Sequence, residues 1–493
     1  MYRFLEILPG MLAWSTLLLM VLFSWLLPEA VAIFIIAFDI YWLLKTIYLS
    51  FHLRVTFKRM KENLNIKWLE KLKQEKSGKW EGIHHLVILP MYQEPFTVVK
   101  ESFKSIAAAE YPKDRLIVIL GTEERGGSET QETAQKIEQE FGKKFYKFLI
   151  TTHPENLHGE IPGKGSNQVW GAKEAKKRLI DPLRIPYKDI IVSVFDIDTQ
   201  VPSEYFGRLT HAFLTSEHRL RAVYQPIPFF WNNIYQAPAA ARVVAFSATF
   251  WQMMQQARPE RLTTFSSQSL PFQVLLDIGF WHANVVSEDS RIFWQGYLRY
   301  SGDFRVVPLH YPVFMDANVA PTFWKTMKNL YRQQRRWGWG VENIPYLLTG
   351  FLNNPRVPRF KKWYWSFNIV EGFHSWATNS LLIFALGWLP IIIGGRHFND
   401  TLLAYKLPEI TGFIIELSMI GIATSAILGI LLLPPRPAWF RIRHYVLYAI
   451  QWFLIPLTLV FLGTIPALDA QTRLMFGGRL RLGFWVTPKG RYK

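Results

Sequence analysis

The chain has 493 residues, 50% of them hydrophobic and 16% aromatic, and a formal net charge of +18. This apolar content exceeds what one globular core requires, so part of it must face lipid. The absence of cysteine excludes disulfides, thiol catalysis and zinc-thiolate sites. Basic residues collect beside the apolar runs and no nucleic-acid reader motif is present, so we expect membrane lipids, and no nucleic acid, as partners.

Two apolar runs open the chain, at 11–27 and 30–50, with Pro28 and Glu29 between them. Each is close to the roughly 20 residues that cross a bilayer, so residues 1–52 are predicted to form a transmembrane helical hairpin. A cleaved signal peptide is the alternative, although cleavage near Ala32 would leave the second apolar run intact. The basic residues that follow predict a cytosolic or interfacial linker over 53–80.

Residues 81–345 have the composition of a soluble α/β domain. Apolar strands are predicted near 85–90, 116–120 and 190–195, with polar, helix-forming stretches between them. Strands that alternate with helices favour a doubly wound, mostly parallel sheet. In such sheets ligands bind at the carboxyl ends of the strands, so polar residues that follow a strand are candidates for the site.

Three polar clusters lie in this domain. They are, in chain order, Asp196-Ile197-Asp198, Glu288-Asp289 and Gln333-Gln334-Arg335-Arg336-Trp337. The first follows the predicted strand 190–195, where two carboxylates suit a divalent cation on a diphosphate. The second is expected to open a helix, and the third is expected to start a helix at the membrane surface. The alternatives are a solvated turn, charges favoured by a helix dipole, and an interfacial anchor, respectively.

Apolar segments return at 367–394, 409–433 and 445–465, which predicts interfacial and transmembrane helices in 346–470 and a basic tail in 471–493. Five crossings would place the tail outside, whereas its charge favours the cytosol. The segment 367–394 is the candidate for a helix that lies flat, because polar residues make its first half amphipathic.

Three polar residues fall inside predicted spans, namely Asp39, Glu416 and Gln451. Such groups are costly in lipid, and they either line a path for acceptor or product or pair between helices.

The first predicted strand ends in Leu89-Pro90-Met91-Tyr92-Gln93-Glu94-Pro95. With this motif and the three clusters in order, the chain resembles a membrane-embedded inverting glycosyltransferase of family 2, of the cellulose-synthase-like type. The resemblance covers 81–345 by motif and the flanking spans by layout. It implies a GT-A-type α/β fold between transmembrane α-helices, with the catalytic domain on the cytosolic face of the plasma (inner) membrane. It also implies a UDP- or GDP-sugar donor and a growing glycan or lipid acceptor.

The resemblance also implies roles for the motif residues. Asp198, with Asp196 near the sugar or nucleotide, would hold Mg²⁺ or Mn²⁺. Asp289, beside Glu288, would be the general base that takes the acceptor proton. Arg336 would meet the diphosphate, to which the fixed fork of a guanidinium is suited.

On the acceptor side, the same resemblance implies that Gln333 orients the site and that Trp337 packs on the acceptor sugar. Glu94 would belong to the donor site, and Lys164 resembles the family's lysine ahead of the Asp-x-Asp strand, although Gly163 and Gly165 equally suit an ordinary turn.

The second strand departs from the family pattern. Where the family has Asp-Asp-Gly or similar, this chain has Glu123 and Glu124, either of which would serve the nucleotide base or ribose with a longer reach. The donor's identity is therefore open. Two further alternatives to polymer synthesis are single addition of a sugar to a lipid, and a non-catalytic scaffold or transporter subunit that keeps the fold.

Overall fold

The computed structural model describes residues 1–75 and 78–490. Residues 76–77 of the predicted linker and 491–493 of the predicted tail lie outside the described residues.

A single seven-stranded sheet forms the centre of the described chain, in the order β3-β2-β1-β4-β6-β5-β7. The strands are β1 His84–Pro90, β2 Leu116–Glu123, β3 Lys147–His153, β4 Ile190–Val194, β5 Ala222–Phe230, β6 Ser269–Pro271 and β7 Arg305–Met315. Pairs among β1 to β4 are parallel, and β6 runs antiparallel to β4 and β5. The sheet is therefore mixed and mostly parallel.

Helices surround and extend this sheet. Those before β5 are α1 Tyr2–Leu26, α2 Pro28–Leu64, α3 Trp68–Glu75, α4 Phe96–Ala108, α5 Gly127–Phe141, α6 Lys164–Ala175, α7 Asp181–Leu183 and α8 Tyr205–Thr215. The next are α9 Ala239–Gln256, α10 Phe272–Asp277, α11 Glu288–Arg299, α12 Phe323–Gly338, α13 Asn343–Asn353 and α14 Arg359–Leu381. The last are α15 Leu389–Ile393, α16 Gly395–Asn399, α17 Leu402–Leu431, α18 Ile442–Ile450, α19 Ile455–Leu459 and α20 Ile465–Phe476.

The predicted strands near 85–90, 116–120 and 190–195 correspond to β1, β2 and β4. All residues of these three strands are buried, as expected for parallel strands covered on both faces. One apolar core lies on each face of the sheet: α6, α10 and α11 contribute to the first, and α4, α5 and α8 to the second. This packing holds the carboxyl ends of β1 and β4 side by side.

Within the described residues, four helical segments are long and apolar enough to cross a membrane: α1, α2, α17 and the run Ile442–Phe476 that contains α18 to α20. The N-terminal pair matches the predicted hairpin, although α2 continues without a break through residue 64 and so takes in much of the predicted linker. The apolar segment 367–394 is divided between α14, an irregular turn and α15, and α14 is not among the four.

Another difference concerns the cluster that ends in Trp337. We expected this cluster to start a helix. The prediction is wrong, because α12 begins at Phe323, fourteen residues before Trp337, and ends at Gly338. Thr322 caps that helix, its hydroxyl accepting from the amide of Lys325. Gln333, Arg336 and Trp337 therefore lie on the last turns of α12.

Candidate active site

The predicted acidic residues meet at the carboxyl edge of the sheet. Asp196 and Asp198 lie in the loop that leaves β4, and Glu94 lies in the loop after β1, the neighbouring strand. Glu288 and Asp289 are the first two residues of α11, as the sequence predicts. Carboxylates at a helix start are stabilised by the positive end of the helix dipole, so α11 favours negative charge at this point.

Lys164, the first residue of α6, joins the two acidic motifs. Its Nζ lies 2.6 Å from Asp196 Oδ1 and 2.7 Å from Asp289 Oδ2, with Glu288 Oε1 at 3.9 Å. One ammonium thus contacts carboxylates that are 93 residues apart in the sequence. Burial alone would lower the pKa of Lys164. The three carboxylates have the larger combined effect, so the pKa of Lys164 is raised.

The two carboxyls of the acidic pair have raised pKa values. Burial, with Asp289 next to it, raises the pKa of Glu288 to about 8. Burial also raises the pKa of Asp289, and the charge of Lys164 opposes that rise. Gln268 completes the surroundings of Asp289 by donating its Nε2 to Oδ1 over 3.4 Å. A carboxylate with a raised pKa is a better proton acceptor, which suits a general base.

Asp196 is held in its ionised form. Burial alone would raise its pKa, but Lys164 and Lys489 together bring the pKa below the ordinary value. The hydroxyl of Ser266 also donates to Asp196 Oδ2 over 2.9 Å. Asp196 and Asp289 therefore share one lysine and differ in the direction of their pKa shifts.

Asp198 is fully buried and has a partner that the sequence did not indicate. Its Oδ2 lies 2.6 Å from Lys489 Nζ in the C-terminal tail, and it also accepts from the amide of Asp316 over 2.9 Å. Burial opposes the charge of Lys489, whereas Asp198 and Asp196 raise its pKa. Asp198 Oδ1 is buried without a hydrogen-bond partner among the described residues, and so it can take a further ligand.

The tail reaches Asp198 by crossing α12. The guanidinium of Arg336 lies 4.9 Å from the ring centre of Phe484, and that of Arg332 lies 5.7 Å from the ring centre of Trp485. Gly163, at φ +149°, leaves no space for a Cβ atom because the ring of Phe484 would lie 2.5 Å from it. The aromatic tail residues thus cover Arg336 and the start of α6 in this conformation.

Gln333 and Trp337 line a separate recess on α12. The Oε1 of Gln333 accepts from Asn318 over 3.4 Å, and Trp337 packs against Phe230 and Phe265. Arg336 is close enough to the acidic pair to influence the charges of Glu288 and Asp289. The acceptor-side residues of the sequence analysis therefore share a helix but not a single cluster.

The three predicted donor-side glutamates differ in environment. Glu94 accepts from the amide of Tyr92 over 2.8 Å, and burial raises its pKa. Glu123 is buried and paired with Arg125, whose guanidinium lies 4.2 Å from the ring centre of Tyr92. Glu124 is exposed and accepts from a backbone amide in the next loop, away from the other two. Arg125 belongs to none of the predicted motifs, although it adjoins both Glu123 and Glu124.

Divalent cation binding requires oxygen ligands, and Asp198 Oδ1 and Asp196 are the available ones at this edge. Within residues 1–75 and 78–490, no group of three or more acidic or histidine side chains converges in a metal-binding arrangement. Two carboxylates are consistent with a cation that is completed by substrate phosphates and water, as Mg²⁺ sites usually are.

No family model matches the chain, and no curated protein matches it in sequence. Among solved structures it is similar to a mannosyltransferase from Pyrobaculum calidifontis in complex with GDP-Man and Mn²⁺, at 15% identity over 80% of this chain and 99% of the other, with a TM-score of 0.39. It is also similar to residues 1–349 of TarS from S. aureus in complex with UDP-GlcNAc, at 12% identity over 70% and 90%, with a TM-score of 0.38. The first neighbour is a mannosyltransferase, and the second is in complex with a nucleotide sugar. Both TM-scores lie below 0.5, so the function of this chain has to be inferred from its own site.

Proposed function

We propose that this protein is a metal-dependent, inverting glycosyltransferase of family 2, with a GT-A-type catalytic domain, that uses a nucleotide-sugar donor. One observation supports this best: Lys164 contacts both Asp196 and Asp289, so the Asp-x-Asp motif and the acidic pair form one cluster. A donor diphosphate and an acceptor hydroxyl have to meet at one point for transfer, and this cluster supplies charged groups for both.

On the donor side, Asp198 and Asp196 are the residues that would hold Mg²⁺ or Mn²⁺, which supplies neutralisation of the charge that develops on the departing diphosphate. Lys164 adds positive charge beside Asp196, and Arg336 adds positive charge near the acidic pair. Glu94 and Glu123, beside Tyr92 and Arg125, are candidates for the nucleoside end of the donor.

On the acceptor side, Asp289 takes the proton from a hydroxyl as that oxygen bonds to the anomeric carbon of the donor sugar. The bond from that carbon to the diphosphate oxygen breaks in the same step, which inverts the configuration. Glu288, with a pKa of about 8, is protonated at neutral pH and leaves Asp289 as the ionised member of the pair. Trp337 offers an indole face to an acceptor sugar, and Gln333 orients it.

The acceptor in this proposal is a growing polysaccharide or a glycolipid, because the site adjoins helices that can enter a membrane. The catalytic domain faces the cytosol of the plasma (inner) membrane. In this topology α1, α2, the segment 359–393 and α17 cross, since Gly394 lies against Pro28 at the α1–α2 turn and Tyr235 of the catalytic domain donates to the carbonyl of Pro434 after α17. These four crossings return the chain to its starting side, which the basic residues of the tail favour.

Single cysteines can be introduced to test this topology, since the chain has no cysteine of its own that would also be labelled. Arg479→Cys and Asn399→Cys occupy exposed positions in the tail and in α16. With a membrane-impermeant reagent on intact cells, we expect labelling at 399 and none at 479 until the membrane is opened. Labelling of 479 from outside would contradict the cytosolic tail.

Purified protein offered a panel of UDP- and GDP-sugars, with nucleoside diphosphate release as the readout, tests the activity itself. We expect release with one donor class, dependent on Mg²⁺ or Mn²⁺ and lost on chelation. Full activity in excess chelator would refute the metal requirement. No release with any donor, with lipid or glycan acceptors present, would support the non-catalytic scaffold instead.

A further inference from the structure

A short connection joins the end of α12 to the loop that leads into α11. After Gly338 the chain makes one 3₁₀ turn, Trp339–Glu342, and continues directly into α13. Glu342, five residues beyond Trp337, points from this turn toward the residues that precede the acidic pair. Glu342 belongs to none of the predicted motifs.

The carboxylate of Glu342 accepts hydrogen bonds from four donors. Its Oε1 accepts from the amides of Val286 and Ser287 over 3.2 and 3.0 Å and from the hydroxyl of Ser287 over 2.7 Å. Its Oε2 accepts from the indole Nε1 of Trp339 over 3.0 Å. Ser287 is the N-cap residue of α11, and its own side chain does not cap that helix. Glu342 therefore fixes the backbone from which Glu288 and Asp289 project.

Asn343 and Arg291 reinforce this connection from the other side of the first turn of α11. Asn343 Nδ2 donates to Ser290 Oγ over 2.9 Å, and its Oδ1 accepts from Arg291 Nε over 2.5 Å. Arg291, which is buried, also donates to the backbone carbonyl of Glu342 over 3.1 Å and lies 4.1 Å from the ring centre of Tyr346. Glu342, Asn343 and Arg291 each make at least two hydrogen bonds within this connection, which restricts its movement.

We propose that Glu342 is a positioning residue that sets the location of Asp289 relative to the acceptor-side helix α12. This inference rests on the proposed glycosyl transfer, in which α12 carries Gln333 and Trp337 and α11 carries the base. Since both helix ends are bound to one carboxylate, the acceptor hydroxyl and the group that takes its proton are held in one frame.

The substitution Glu342→Gln tests the role with little change in shape. The amide keeps one acceptor oxygen for Val286 and Ser287, but its NH₂ group meets the indole N–H of Trp339, so two donors face each other. A misplacement of a reacting group by about 1 Å costs about 10²-fold in rate. We expect kcat to fall by about that factor, with the donor KM and the nucleoside diphosphate affinity within twofold of wild type.

A double mutant separates positioning from a merely structural role. If Glu342 acts through Asp289, Glu342→Gln in an Asp289→Asn background lowers kcat no further. A further loss of similar size in that background, or a parallel loss of diphosphate affinity, would overturn the proposal. Asp181→Asn is the matched control, because Asp181 likewise accepts from Tyr187 over 2.7 Å but lies on α7, outside the connection, so its kcat should remain that of wild type.

Hydrogen exchange provides a readout that needs no substrate. We expect faster amide exchange in residues 284–291 of the Glu342→Gln protein and unchanged exchange in β1 and β4. Unchanged exchange in 284–291 would overturn the positioning role, whatever the activity. Absence of turnover in wild type with every donor and acceptor would instead overturn the proposed function, and in that case the exchange data decide on the connection alone.

Discussion

The two lysines of the acidic site differ in how the fold holds them. Lys164 opens α6, which packs on β1, β2 and β3, and it contacts Asp196 and Asp289. Lys489 lies in a tail segment without helix or strand, and it contacts Asp198. Lys164 is therefore part of the framework, by which we mean the sheet and the helices packed on it, whereas Lys489 can move away without disturbing the sheet.

This difference indicates what each lysine can do. A fixed ammonium between two carboxylates keeps them close despite their like charges, which a donor and acceptor site requires in every state. An ammonium on a tail occupies the position next to Asp198 that a divalent cation would need. The site therefore combines a permanent positive charge with a removable one.

The largest effect is expected at the acidic pair, Glu288 and Asp289, which belongs to the framework and contains the proposed general base. Asp289→Asn keeps the size and removes the proton acceptor, so turnover should fall by about 10²–10⁴-fold with nucleotide affinity retained. Glu288→Gln should cost less, because Glu288 is mainly protonated near neutral pH. Steady-state turnover and diphosphate binding of both variants check this. Wild-type turnover in Asp289→Asn would remove Asp289 as the base.

Loss of each lysine should affect stability unequally. Lys164→Met leaves Asp196 and Asp289 facing each other in a partly buried site, and breaking a buried pair in this way costs about 3 kcal/mol. Lys489→Met should cost less, because the tail can move away and admit water. Thermal unfolding of both variants in the same detergent compares them. An equal fall in Tm would show that the tail belongs to the framework as firmly as α6.

The raised pKa of Glu288 predicts a pH dependence of stability. A carboxyl whose folded-state pKa lies above its unfolded value binds more protons when folded, so its contribution falls as the pH rises from the unfolded value of 4.5 through about 8. Glu288→Gln should flatten the decline of Tm across this range. The measurement is Tm from pH 5 to 8.5 for wild type and variant, and parallel curves would show that Glu288 ionises normally.

The smallest effect concerns the removable lysine and the cation. With no donor present, Lys489→Ala removes a competing charge from Asp198, and Mn²⁺ affinity should rise about tenfold, the effect of about 1.4 kcal/mol. Arg479→Ala, at an exposed position of the same tail, is the control and should leave the affinity unchanged. Calorimetric titration with Mn²⁺ measures both. Equal affinities for wild type and Lys489→Ala would mean that the tail does not compete.

Local sequence patterns predicted the residues of the framework better than those of the tail. β1, β2 and β4 were predicted because parallel strands buried on both faces are continuous apolar runs. β3 was not predicted because exposed and buried residues are mixed along it, and β6 was not predicted because it has only three residues. The motifs after β1 and β4 and the acidic pair that opens α11 therefore lie where they were predicted, whereas the cluster that ends in Trp337 does not.

Long-range contacts account for what the sequence did not reveal. Lys489 lies 291 residues from Asp198, and nothing in a basic tail indicates which of its lysines enters a site. Glu342 was missed for a related reason, since its function depends on backbone amides, which leave no pattern in a sequence. Side chains that bind backbone groups far along the chain can be identified only from the fold.

Glu416 has a consequence for the lipid around the protein. It lies near the middle of α17, at an exposed position of a helix that contains an 18-residue stretch with a mean hydropathy of 2.1, and none of the described residues forms an ion pair with it. A charged group at the centre of a bilayer costs about 3 kcal/mol unless water and headgroups are drawn toward it. In the proposed topology, in which α17 crosses the membrane, the bilayer should therefore be thinned beside α17, and the protein should be less stable in membranes of long-chain lipids than in those of short-chain lipids.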